Sequence, residues 1–142
     1  MITKIPIEII RIENEGYHLI IKGKINKKVS NLIIDTGASR SVFSNSLSGI
    51  RKGESAYLNQ TDLSTTSLLS DEIPSVNGII NEFQVGALRK SNYEATFIDI
   101  EYINKLYNDS VGKTIDGLIG NDLLIKHQAI IDYLNSMLVL TY

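Results

Sequence analysis

The chain has no cysteine among its 142 residues, which excludes disulfides, thiolate metal ligands and a cysteine nucleophile. Tryptophan is absent and proline occurs only twice. One of the two, Pro74, bars its neighbourhood from a central strand position. There is no surplus of positive charge: 14 Lys and Arg face 16 Asp and Glu, for a net charge of -2. Nothing is left over to neutralise a phosphate backbone, so nucleic acid is not an expected partner. The cluster Lys22, Lys24, Lys27 and Lys28 reads as the solvated tip and edge of a hairpin. No apolar run approaches the roughly 18 residues that span a bilayer, so no membrane partner is expected. Charged Lys4, Glu8 and Arg11 break up any signal-peptide pattern. The chain as given is expected in the cytoplasm, any leader lying outside this sequence.

What is present is ordinary for a globular protein, 43% hydrophobic and 21% charged. The length predicts one domain over residues 1–142. Isoleucine, leucine, valine and tyrosine fall in many short runs, which predicts a mostly β protein. Ile5 to Glu13 and Tyr17 to Ile25 read as a hairpin about Asn14-Glu15-Gly16. Asn26-Lys27-Lys28 turns the chain into a strand from Val29 to Ile34, and a short strand at Ser41 to Ser44 follows. Ser44 to Lys52 reads as loop. The Ser- and Thr-rich stretch from Gln60 to Ser75 suggests a hairpin or lid.

Val76 to Val85 and Tyr93 to Ile100 read as strands joined through Gly86-Ala87-Leu88-Arg89. The period then becomes helical at Ile100, Ile103, Leu106 and Tyr107, with Asp99 as the cap and the run ending between Asn108 and Gly112. Ile115 to Gly120 gives a strand, and Asn121 to Lys126 a second short helix with Asn121 at its cap. Gln128 to Tyr133 and Met137 to Thr141 form a terminal hairpin.

The stretch that organises the chain is Leu32-Ile33-Ile34-Asp35-Thr36-Gly37-Ala38-Ser39. An apolar strand ending in Asp-Thr-Gly sets a carboxylate at a sheet edge. Gly37 there is free to adopt backbone angles closed to other residues and to turn main-chain N–H groups toward Asp35. Far along the chain comes Ile115-Asp116-Gly117-Leu118-Ile119-Gly120, which leads into the second helix. Together the two motifs resemble the retropepsin-like aspartic proteases, over most of the chain from Tyr17 to Leu140.

The resemblance implies a closed β-barrel of the retropepsin-like acid protease type with one or two short helices. It implies an aspartic endopeptidase acting on peptide or protein substrates without metal or cofactor. Asp35 would be the catalytic carboxylate, supported by Thr36, Gly37, Ala38 and Ser39, with Leu118, Ile119 and Gly120 passing behind the loop. One chain carries one such motif, so the family's solution, a homodimer with Thr36 bonding across the axis, is implied as well. The terminal strands Ile2 to Ile9 and Met137 to Thr141 are then the candidates for the sheet between subunits. Ala38 stands where pepsin-like enzymes often carry a hydroxyl residue, which implies an activity optimum less acidic than pepsin's.

Two features depart from the family pattern. Gln60 to Ser75, in the place of the flap, holds no glycine, so the tip is built differently, the flap lies nearer Gly78, or the lid is poorly formed and activity is weak. Asn121 stands where many viral members carry an arginine. Asp116 lacks a following Thr or Ser and reads as a turn residue. His18 and His127 have no partner at ligand spacing, so no metal site is expected. Ser39, Ser41, Ser44 and Ser46 lack a nucleophile elbow. Arg40 and Tyr57 are possible cleft residues. The alternative function is a non-catalytic module that keeps the fold for binding or dimerisation.

Overall fold

Ten strands and two α-helices are formed within residues 1–47 and 75–142, which the computed structural model describes. In chain order they are β1 (Ile2–Pro6), β2 (Glu8–Ile12), β3 (Gly16–Ile25), β4 (Lys28–Ile34) and β5 (Val42–Ser44), then a 3-10 turn at Asn45–Leu47. After these come β6 (Ser75–Val85), β7 (Leu88–Ile98), α1 (Glu101–Val111), β8 (Gly117–Ile119), α2 (Asn121–Lys126), β9 (Ile130–Asp132) and β10 (Met137–Thr141). No helix among these residues is long and apolar enough to cross a membrane.

A seven-stranded sheet runs β2-β3-β4-β8-β5-β7-β6, and a three-stranded sheet runs β1-β10-β9. The larger sheet curls until β6 meets β3 at Lys24↔Gln84 and Ile25↔Phe83. Asn26 fastens this seam, because its N–H donates to the Glu82 carbonyl at 2.8 Å and its Oδ1 accepts from Glu82 N–H at 3.1 Å. The result is a mostly β barrel, as expected.

The turns explain several elements. Asn26 (φ 49°) and Lys27 (φ 69°) are both left-handed, the geometry of a two-residue hairpin whose twist matches its strands. Gly86 (φ 59°) opens the β6–β7 turn, and a Cβ there would lie 3.0 Å from Ile5 Cγ1 and still closer to the Thr3 hydroxyl. Gly112 caps α1 in the left-handed conformation.

Strands β3, β4 and β8 are covered on both faces. Leu19, Ile21, Leu32, Ile34 and Ile119 face one core with Phe43, Phe83 and Phe97. Ile20, Ile33 and Leu118 face a second, with Ile103 and Tyr107 of α1 and Ile10 and Ile12 of β2. A strand buried on both faces reads as a continuous apolar run, which accounts for Leu32-Ile33-Ile34. Burying each such side chain is worth about 1.5–3 kcal/mol, so the strand that carries Asp35 is held firmly.

Several sequence expectations are corrected. Ile5 to Glu13 is not one strand: the chain breaks at Ile7, whose N–H donates to the Ser136 carbonyl at 2.8 Å, and β1 and β2 join different sheets. Strand β7 begins at Leu88 rather than Tyr93, so the β6–β7 turn is only Gly86-Ala87. Asp99 accepts from Glu101 N–H at 2.9 Å, yet Ile100 occupies the cap position of α1. In α2 the cap position belongs to Gly120, not Asn121. The expected lid, Gln60 to Ser75, lies outside the described residues except for Ser75, as does Tyr57. Gly78 pairs with Ala95 inside the β6–β7 ladder.

Candidate active site

Asp35 follows directly on β4, which runs parallel to β8 with Ile33↔Leu118 and Ile34↔Ile119 in register. The ladder continues one step further, since Asp35 N–H donates to the Ile119 carbonyl at 2.9 Å. The loop then closes on itself. Gly37 N–H donates to Asp35 Oδ1 at 3.0 Å, and Ala38 N–H donates to the Asp35 carbonyl at 3.1 Å. Asp35 is only 5% exposed. A donor is aimed at the carboxylate as expected, but Gly37 is not among the left-handed glycines, so positive φ is not how it does so.

The rest of the loop is gripped from behind by the β8–α2 junction. Asn121 N–H donates to the Ala38 carbonyl at 2.8 Å, and Asp122 N–H to the Ser39 carbonyl at 3.2 Å. The Asn121 side-chain amide donates to the Thr36 carbonyl at 2.8 Å. Ala38 is fully buried, while the side chains of Thr36 and Ser39 are exposed. Gly120 is required by close approach: a Cβ there would lie 2.6 Å from both C and O of Arg40 and 2.9 Å from the Ala38 carbonyl oxygen. Leu118, Ile119 and Gly120 thus lie directly behind the Asp35 loop, where the sequence motif places them.

The part that three residues play in this grip was not read from the sequence. Asp122 Oδ1 accepts from Ser41 N–H at 2.8 Å, from Ser41 Oγ at 2.7 Å and from Leu123 N–H at 2.9 Å. Ser41 Oγ in turn accepts from Gly120 N–H at 2.9 Å. Ser41 and Asp122 therefore tie the far side of the loop to Gly120 and the start of α2, and Asn121 ties Thr36 to the same junction. The only local hint is an Asn-Asp pair entering a helix, which reads equally well as ordinary capping. An uncharged amide on Thr36 and a carboxylate on Ser41 fasten the loop here, with Asn121 in the place of the arginine of many viral members.

Asp35, Thr36 and Gly37 open into a cleft of about 550 Å³, walled by Tyr17, His18, Ile131 and Tyr133. Arg40 lines a different cleft, of about 640 Å³, with Ser41, Asp122, Tyr93 and Thr96. Asp35 does not line this larger space. Tyr93 lies beside the second cleft, stacked on Phe83 at 5.1 Å between ring centroids. Burial first, and then the nearby Asp122 carboxylate, push its phenol above the ordinary tyrosine value.

Asp116 is structural: its Oδ2 accepts from Asn31 N–H at 2.9 Å, helping to set β8 against β4. His18 is buried, with Nε2 3.2 Å from the Glu15 carbonyl and its ring edge-on to Tyr107. His127 Nδ1 meets the Thr141 carbonyl at 2.9 Å, so in the neutral ring that nitrogen is the donor. Among the described residues no three His, Asp or Glu side chains are grouped to hold a metal ion.

A family model described as aspartyl protease matches residues 21–123, spanning both β4 with its Asp35 loop and the junction behind it. The chain belongs to the aspartyl protease family. Among solved structures, a retropepsin-like aspartic protease from Rickettsia conorii is similar over 99% of this chain and 91% of its own, with TM-score 0.57 and 18% identity. The retroviral protease-like domain of Ddi1 from Leishmania major is similar over 82% of each chain, with TM-score 0.45 and 17% identity. The first likeness is one of fold. No curated protein is matched by sequence.

Proposed function

We propose that this retropepsin-like chain is an aspartic endopeptidase that works as a homodimer, each copy supplying one Asp35. The observation that carries the reading is a buried carboxylate at the end of a doubly covered strand, hydrogen-bonded within its own loop and braced by a second motif behind it. A positioned carboxylate is a general acid or base. One such group serves one of those roles at a time, and peptide hydrolysis needs both. Two Asp35 carboxylates meeting across an axis supply both. Like charges at short range cannot both ionise cheaply, so the pair holds one proton between them. The ionised member takes a proton from a bound water, and the protonated member donates to the carbonyl oxygen of the scissile peptide. Water oxygen bonds to the carbonyl carbon, and collapse of the tetrahedral species releases the amine, which takes up a proton. No step calls for a metal or cofactor.

The test is incubation of the protein and of Asp35→Asn with a mixed peptide library between about pH 3 and pH 7, with products read by mass spectrometry. Cleavage by the parent and none by the variant supports the reading. A folded dimer that leaves the library intact under all conditions overturns it and favours the binding or dimerisation module.

A further inference from the structure

We propose that Asn121 is a positioning residue for Asp35, acting through the single peptide group that joins Thr36 to Gly37. Asn121 Nδ2–H donates to the carbonyl end of that peptide at 2.8 Å, and the N–H end of the same peptide donates to Asp35 Oδ1 at 3.0 Å. The junction behind the loop thus reaches the carboxylate through one rigid plane. The inference deepens the peptidase reading above and rests on it for the effect on cleavage.

The local sequence alone does not fix which way that plane faces. Ala38 N–H donates to the Asp35 carbonyl at 3.1 Å, so residues Asp35 to Ala38 form a β-turn with Thr36 and Gly37 at its centre. Glycine in the third place favours a type II turn, where it takes a positive φ at no steric cost. Yet neither Thr36 nor Gly37 has a positive φ, which excludes types II, I′ and II′ and leaves type I. Types I and II differ chiefly by a half-turn of the central peptide. In the type II form Gly37 N–H would face away from Asp35 Oδ1, and the Thr36 carbonyl away from Asn121.

Thr36 and Gly37 are both exposed, so side-chain packing does little to hold the plane. The two bonds at its opposite ends select the turn instead. A donor on the carbonyl also polarises the amide, which strengthens Gly37 N–H as a donor to the carboxylate. Asn121 is itself anchored, because its own N–H donates to the Ala38 carbonyl at 2.8 Å and it follows directly on Gly120, which packs on the Arg40 backbone. That backbone bond does not depend on the side chain. Removing the side-chain amide therefore releases the Thr36–Gly37 peptide and leaves the rest of the junction in place.

The chain has 10 glycines, so selective isotopic labelling of glycine nitrogen gives a simple amide spectrum that contains both Gly37 and Gly120. In Asn121→Ala the Gly37 amide is expected to exchange with water at least about tenfold faster than in the parent, and to lose the downfield shift of a proton bonded to a carboxylate. Gly120, whose N–H donates to Ser41 Oγ at 2.9 Å in the same junction, is expected to keep its rate within about twofold. A residue that merely braced the junction as a whole would move both. In peptide cleavage kcat is expected to fall about tenfold with KM within about twofold, since Asp35 and not the substrate loses a partner. If Asn121→Ala fails to fold, Asn121→Leu, of similar size and without a donor, decides by the same signals. An unchanged Gly37 amide, Gly37 and Gly120 loosened alike, or an unaltered kcat in a protein that cleaves overturns the proposal. A Gly37 amide that responds as expected in a protein that cleaves no peptide leaves the positioning of Asp35 standing and removes the peptidase reading alone.

Discussion

Replacing Gly120 by alanine tests whether the Asp35 loop is held by the junction behind it. The added Cβ would sit 2.6 Å from the carbonyl carbon and oxygen of Arg40 and 2.9 Å from the Ala38 oxygen. These neighbours are backbone atoms, with no flexible side chain to swing aside. The loop and the start of α2 must separate, and overpacking of this kind costs about 1–3 kcal/mol. Separation also stretches the bonds from Gly120 N–H to Ser41 Oγ and from Asn121 N–H to the Ala38 carbonyl, now 2.9 and 2.8 Å. Each is worth about 1 kcal/mol net. The expected total is about 2–4 kcal/mol, read as a lower urea midpoint with unchanged slope and a fall in Tm of about 8–15 °C at this chain length. Gly112→Ala is the control, since Gly112 is left-handed (φ 64°) and a Cβ added there would meet nothing within 4 Å. It should cost about 1 kcal/mol for backbone strain and leave peptide cleavage unchanged. A Gly120→Ala protein as stable as the parent, or less affected than Gly112→Ala, would refute the reasoning.

Asp122→Ala removes the acceptor shared by Ser41 N–H, Ser41 Oγ and Leu123 N–H, and should cost about 2–3 kcal/mol in urea unfolding. Asp122→Asn keeps an acceptor oxygen and should recover at least half of that loss. Tyr107→Phe should be neutral or stabilising by up to about 1 kcal/mol at pH 7, because the buried Tyr107 hydroxyl has no hydrogen-bond partner among the described residues. Burial holds the phenols of Tyr107 and Tyr93 above their ordinary value in the fold. The unfolded chain therefore releases these protons first, near pH 10, and stability, constant below that, falls as pH rises beyond it. Tyr107→Phe should make the decline in urea midpoint between about pH 9 and 11.5 shallower; an identical decline would contradict the burial argument.

Much of the barrel was legible where local chemistry and tertiary packing agree. Asn26 marks a tight turn because asparagine tolerates left-handed angles, and both Asn26 and Lys27 adopt them. The run Leu32-Ile33-Ile34 marks a strand because cores lie on both sides of it. The break at Ile7 was hidden because apolar residues continue through it, and what sets it is a bond to Ser136 at the other end of the chain. The start of β7 was hidden because Arg89, Lys90, Ser91 and Asn92 are polar and Asn92 is left-handed (φ 50°), so the strand declares itself only from Tyr93. At the site, Asp35 and the junction behind it could be found because each is a compact motif. Ser41, Asn121 and Asp122 could not, since their partners lie far away in sequence and each residue is ordinary in its own surroundings.

That arrangement bears on how the Asp35 carboxylate is held in place by the fold of one chain. A loop that begins at a strand end and contains a glycine has many conformations open to it, and ordering each residue costs about 1–2 kcal/mol. Within its own sequence the loop offers two bonds, from Gly37 and Ala38 to Asp35. The β8–α2 junction adds bonds to Asp35 N–H and to the carbonyls of Thr36, Ala38 and Ser39, so most of the loop backbone is fixed by residues that fold against it only when the sheet forms. The ordering is thus completed during folding. On the side facing the cleft, Thr36 stays exposed and Ile131 and Tyr133 line the same cleft as Asp35, so the loop is held from behind and left open toward that cleft.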